Sequence, residues 1–187
     1  MPERGFMRVS LRNSAVLSAL LLTVAAAPGP GTSVCRASGW GVGPQVDVRA
    51  APSPSGRVLA RLVPRAAEQD GVDLNGALPE FRIHGARGGW FLIGEASFGD
   101  YGDPKPRRPL YAGQGWVRGD QIGGQLMPGR LYSAPTQRSR SRAYGKGTDE
   151  VEVKRLLDCT GTWVKIEADI GTGWVNGLCS NQVTTCS

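Results

Sequence analysis

The sequence predicts an all-β protein made of two small barrels in tandem behind an N-terminal secretory segment. Composition is the first reason. Among 187 residues there are 27 glycines and 13 prolines, the apolar runs are short, and no long 3.6-residue periodicity appears. The second reason is an internal repeat. Gly88-Gly89-Trp90-Phe91-Leu92-Ile93 is followed by Gly115-Trp116-Val117-Arg118, and Gly161-Thr162-Trp163-Val164-Lys165-Ile166 by Gly173-Trp174-Val175-Asn176. The third is the polar break at Asp169-Ile170-Gly171, which reads as the turn of a hairpin. Two units of about 85 and 60 residues stand near the lower limit for an independent core, where disulfides or mutual docking help.

The chain opens with Arg4, Arg8 and Arg12 ahead of an apolar run over residues 15–27 that ends in small residues. That run is short for a bilayer span and has the order of a secretory signal, covering residues 1–26 with cleavage between 26 and 37. No integral membrane segment is then expected in the mature chain. Removing residues 1–26 takes away three Arg and one Glu, so the formal charge falls from +6 to about +4. A mildly basic exported protein argues against nucleic acid as a partner and is compatible with an anionic envelope polymer.

The first unit is predicted over residues 40–127. Val46-Asp47-Val48-Arg49 alternates until Pro52 and Pro54 stop it, and Val58–Leu62 is the next strand. Residues 64–79 read as loop, Phe81–His84 alternates again, and Trp90–Ile93 is a strand. Twenty-five residues separate Trp90 from Trp116, against ten between Trp163 and Trp174. The surplus, roughly residues 96–111, is rich in Gly and Pro and reads as an enlarged hairpin loop. The second unit, residues 128–187, starts with Leu131-Tyr132-Ser133-Ala134-Pro135. Arg138–Arg142 and residues 144–149 read as polar loop, Val151–Leu157 as a strand, and the Trp163/Trp174 hairpin closes the unit.

Four cysteines, Cys35, Cys159, Cys179 and Cys186, fit two disulfides in an oxidising compartment. Cys159 and Cys179 flank one hairpin at the same end, so Cys159–Cys179 is the expected bridge, leaving Cys35 with Cys186; the alternative is Cys179–Cys186. A metal is not expected, since no Cys-x-x-Cys pair exists and the single histidine, His84, lies far away in sequence. His84 has no serine or cysteine motif beside it, and no carboxylate spacing suggests a glycosidase pair, so no catalytic residue and no cofactor are expected.

Strand alternation assigns the chemistry. Val164, Ile166, Ala168 and Val175 share one face of the second hairpin, as do Phe91, Ile93 and Val117 in the first. The apolar core is therefore satisfied without the tryptophans. Trp90, Trp116, Trp163 and Trp174 fall on the outer faces, either under a covering loop or as an aromatic platform for a ligand. With Tyr111 and Tyr132 they are the candidate ligand-contacting residues. Lys105, Arg107 and Arg108, and the Arg138–Arg142 run, read first as solvated loop positions and second as cationic contacts for anionic groups.

The ordered elements Val48-Arg49-Ala50-Ala51-Pro52-Ser53, Gly89-Trp90 and Gly115-Trp116-Val117, with a second set in Ser133-Ala134-Pro135, Trp163 and Gly173-Trp174-Val175, resemble the bacterial SH3-like domain family over about residues 40–187. The second copy departs at its opening, where Leu131-Tyr132 stands in place of valine-arginine. The resemblance implies a five- or six-stranded barrel, an exported location and a binding role toward peptidoglycan peptide or an envelope protein. It places Trp90 and Trp163 at the groove tryptophan of SH3 domains. The positions after Trp116 and Trp174 hold Arg118-Gly119-Asp120 and Asn176-Gly177-Leu178, without the tyrosine and proline that complete a polyproline groove. A cell-wall hydrolase or its regulator, acting through the 96–111 loop, and an assembly factor docking on a protein are the alternative readings.

Overall fold

The computed structural model describes residues 31–64, 77–98, 109–146, 150–180 and 182. The predicted secretory segment, most of the enlarged 96–111 loop with Lys105, Arg107 and Arg108, and Cys186 lie outside the described residues. The rest is all-β. In chain order the strands are β1 Ser33–Gly41, β2 Val46–Arg49, β3 Val58–Leu62, β4 Pro79–Arg87, β5 Trp90–Phe98, β6 Tyr111–Arg118, β7 Ile122–Gly123, β8 Gln125–Leu126, β9 Gly129–Tyr132, β10 Ser141–Tyr144, β11 Val151–Thr160, β12 Trp163–Ala168 and β13 Gly171–Asn176. One 3₁₀ turn, Gly119–Gln121, sits between β6 and β7.

The strands form two curled, half-barrel sheets. The first runs β3-β2-β6-β5-β4-β1-β7 and the second β10-β9-β13-β12-β11-β8. Alternation works as the residue types require. Phe91, Ile93 and Val117 are fully buried in the first sheet, and Val164, Ile166 and Val175 in the second. β-branched and aromatic residues fill these inner positions because they pack well on a pleated surface. The break between sheets comes between Gly123 and Gln125, so the second sheet gains β8 as an edge strand.

Two stretches differ from the sequence reading. β1 was not expected, because Ser33-Val34-Cys35-Arg36-Ala37-Ser38-Gly39 carries little apolar alternation. It forms because β4 pairs with it antiparallel, with a register shift between Val34 and Ala37, and it brings the buried Trp40 into the core. The Arg138–Arg142 run is not all loop either. Its second half enters β10, where Ser141 and Arg142 pair with Tyr132 and Leu131.

The two sheets dock through β11. The backbone oxygen of Leu156 lies so close to Gly119 that a Cβ there would stand 2.0 Å from it; only glycine permits this approach. The N–H groups of Arg36 and Gly161 donate to the carbonyls of Gly161 (2.6 Å) and Val34 (2.8 Å), a short parallel bridge between units. Within the second unit, Gln125 of β8 and Cys179 exchange a pair of backbone hydrogen bonds, both 3.0 Å, which ties the stretch after β13 to the edge strand. Buried residues from both sheets, including Ile122, Leu126, Leu156 and Cys159, form one continuous hydrophobic cluster.

The disulfide corrects the expected pairing. Cys35 is bonded to Cys159, across 124 residues and between the two units, with a Cα–Cα distance of 5.7 Å. The predicted Cys159–Cys179 and Cys35–Cys186 bridges are therefore not formed. Sequence proximity around the hairpin favoured Cys159 with Cys179, but β1, which the sequence hid, carries Cys35 to β11. Cys179 is disulfide-bonded as well; the alternative Cys179–Cys186 pairing involves a residue outside those described.

Candidate functional site

The repeat is reproduced bond for bond. In the first unit Ala50 N–H donates to Arg57 O (2.8 Å), Ser53 N–H to Ala51 O (2.8 Å) and Gly56 N–H to Ser53 O (3.0 Å). In the second, Ser133 N–H donates to Arg140 O (2.9 Å), Thr136 N–H to Ala134 O (2.7 Å) and Ser139 N–H to Thr136 O (3.1 Å). The strand register follows the same plan. Arg49 faces Trp116 as Tyr132 faces Trp174, and Trp90 faces Arg118 as Trp163 faces Asn176.

The departure at Leu131-Tyr132 now has a physical account. In the first unit the Arg49 guanidinium holds the turn: Nη1 donates to Pro54 O (2.9 Å) and Gly56 O (3.0 Å), and Nη2 to Asp47 Oδ2 (2.8 Å). In the second unit Ser139 replaces it. Its Oγ donates toward Thr136 O (2.9 Å) and Ala134 O (3.1 Å) and accepts from Ala134 N–H (3.3 Å). Tyr132 is thereby released from turn-holding. It meets Trp163 edge-on, with ring centroids 5.1 Å apart and planes at 88°, a favourable aromatic geometry.

The tryptophans take the outer faces as alternation requires, but they do not form an open platform. Trp90 is only 9 % exposed, and Trp116, Trp163 and Trp174 are half-buried. Trp90 lines a groove of about 350 Å³ with Asp47, Arg49, Pro54, Arg118, Asp120 and Gln121. Its walls carry both signs of charge, since Arg49 pairs with Asp47 at 2.8 Å and the Arg118 guanidinium grips Asp120, with Nε donating at 3.0 Å. Asp47, Asp120 and Gln121 were not singled out by sequence. The available signal was the arginine–aspartate pairs two residues apart, Asp47/Arg49 and Arg118/Asp120, flanking the two halves of the motif.

Tyr111 does not join this groove. It faces Ala96 at the far end of the β5–β6 hairpin and its hydroxyl donates to Gln114 O at 2.9 Å. Burial pushes its phenol above the ordinary value, against the opposing pull of Arg57. In the second unit Tyr144 stands with Tyr132. Burial raises its phenol too, and Tyr132 adds to the effect.

A second cleft, about 420 Å³, opens where the units meet and is lined by Cys35, Arg36, Arg82, His84, Glu95 and Thr162 among others. Glu95 Oε2 forms an ion pair with Arg82 Nε at 2.9 Å, and its other oxygen is 4.0 Å from His84 Nε2, beyond hydrogen-bond reach. The one sulfur there belongs to the Cys35–Cys159 disulfide. The cluster thus offers ion pairing rather than a thiol nucleophile and its base. No family model, no curated protein and no solved structure matches this chain.

Proposed function

We propose that this chain is a non-catalytic, exported binding module, a tandem of SH3-like domains that recognises cell-wall peptide or an envelope protein through the Trp-lined outer faces. The observation that carries this reading is the Trp90 groove. A nearly buried indole lines it together with Pro54 of the turn and with guanidinium and carboxylate groups of both signs. Such a cavity accepts a short polar chain bearing both amine and carboxylate groups, while the indole supplies apolar contact area. Export is supported by the oxidised cysteines. No helix among the described residues is long and apolar enough to cross a membrane.

The test is retention on purified, insoluble peptidoglycan, comparing the parent chain with Trp90→Phe, Asp120→Asn and Trp163→Ala. Loss of a central aromatic contact typically costs about 2 kcal/mol, or roughly 30-fold in affinity. Trp90→Phe keeps an aromatic ring in the position while removing the indole's second ring, and a thermal melt of each variant separates lost contact from lost fold. Equal retention of all three variants would overturn the wall-binding reading.

A further inference from the structure

The two units share one frame but not one electrostatic character. Where the first sheet has Asp47 and Arg49 on its outer face, the second has Arg130 and Tyr132 at the matching positions, two strand residues apart. Tyr132 faces Trp174 and Trp174 faces Lys165, and Trp163 closes edge-on against Tyr132. Directly opposed residues of a sheet share a face, so Tyr132, Trp174 and Lys165 form one row, flanked by Arg130 and Trp163. Arg130 is held over this face by Ser141, its Nε donating to Ser141 Oγ at 2.9 Å.

The β9–β10 side of this face carries charge of one sign. From Gly129 to Lys146 the chain has five basic residues, Arg130, Arg138, Arg140, Arg142 and Lys146, and no Asp or Glu. Among the described residues none of Arg130, Arg138, Arg140, Lys146 and Lys165 has a carboxylate partner. Arg142 donates instead to the carbonyl of Ile170. The carboxylates on this face, Glu167 and Asp158, and Asp169 at the hairpin turn each have a partner. Glu167 is held by Arg155 at 2.6 Å and Asp169 by Lys154 at 2.5 Å. Asp158, across from Lys165, accepts from Cys159 N–H at 2.8 Å.

We propose that this face binds a linear anionic polysaccharide. Half-buried indole and phenol rings offer flat apolar area for the faces of sugar rings. Arg130 and Lys165 beside them, with Arg138 and Arg140 on the adjoining turn and edge, supply unpaired cations for the acid groups along the chain. The aromatic row distinguishes this ligand from a bare polyanion, which needs charge alone. The proposal rests on the reading that the outer faces are contact surfaces and assigns the second of them a ligand class of its own.

The test uses the full oxidised chain and intrinsic tryptophan fluorescence, titrated with polygalacturonate, dextran sulfate and neutral dextran. Either acidic polymer is expected to bind, with affinity falling as salt is raised, and neutral dextran is not. Arg130→Glu/Lys165→Glu should weaken binding at least tenfold, whereas Arg36→Glu/Arg82→Glu, the same charge change at the inter-unit cleft, should leave it within about twofold. Trp163→Phe should lower affinity without changing the net charge. Failure of both acidic polymers to bind, equal loss in the two double variants, or equally tight binding of single-stranded DNA or anionic vesicles would overturn the proposal. Peptidoglycan retention that depends on Trp90 is measured in parallel. If it survives while glycan binding is absent, this inference falls and the binding-module reading stands.

Discussion

At the scale of single residues, the most informative positions are those where one frame is held by different chemistry. Arg49 and Ser139 do the same work, fixing equivalent turns through carbonyl acceptors. The arginine of the Val-Arg-x-x-Pro element is therefore a turn-holding residue. Tyr144 is set by its surroundings in another way. Its phenol is raised above the ordinary value by burial and by Tyr132, so folding favours the neutral form. The stability that this contributes is fully present below about pH 10, the unfolded value, and is lost as pH rises through the higher folded value. Tyr144→Phe should therefore flatten the decline in denaturant midpoint above about pH 10 while leaving the neutral-pH midpoint nearly unchanged. Tyr111 is shifted in the same direction, so part of the decline will remain.

Single elements show how backbone and side chain trade against each other. Glu95 is the only non-glycine residue with positive φ among those described, at 55°, and it sits at the register shift between Gly94 and Ala96 where β5 meets β6. A left-handed non-glycine costs about 1 kcal/mol or more. The Arg82–Glu95 pair is well exposed, and such pairs contribute about 0–1 kcal/mol. Relief of the backbone should win, so Glu95→Gly is expected to be neutral or stabilising by up to about 1 kcal/mol in equilibrium unfolding. A destabilisation above that size would mean that the carboxylate does more in the cleft than pair with Arg82.

The element scale also shows what the sequence disclosed. The hairpins were legible because Val117, Val164, Ile166 and Val175 sit between polar or aromatic neighbours, and these four are fully buried with Phe91 and Ile93, although Leu92 between the latter two is aliphatic and buried as well. The strand β3 falls at Val58–Leu62 as its β-branched first residue and flanking turn residues suggest. β1 was hidden because its pairing partner, β4, decides its conformation rather than its own side chains. The exposure of the tryptophans was not legible either. Which face of a strand a residue takes follows from periodicity, but how far that face is covered depends on what packs over it: Trp90 is nearly buried and Trp116 only half-buried.

For the whole molecule, the question is whether two units or one body resists unfolding. One hydrophobic cluster crosses the boundary, Gly119 is wedged against β11, and a covalent link spans the junction. Removing a disulfide that closes so long a loop costs about 2–4 kcal/mol, largely by releasing the unfolded chain. Cys35→Ala/Cys159→Ala should therefore lower the unfolding free energy by about that amount while retaining the β-sheet circular dichroism signal. Two separate unfolding transitions in this variant, against one in the parent, would show that the link is what makes the units cooperate.

That link also dictates an order of events during synthesis. No cysteine lies between positions 35 and 159, so the Cys35 thiol must wait for 124 further residues to be made before its mate arrives. Once Cys159 is out, two further thiols follow within 27 residues and compete for it. Correct oxidation thus depends on the first sheet capturing the incoming β11 before chemistry fixes the wrong neighbour, which makes tertiary assembly the template for the covalent bond.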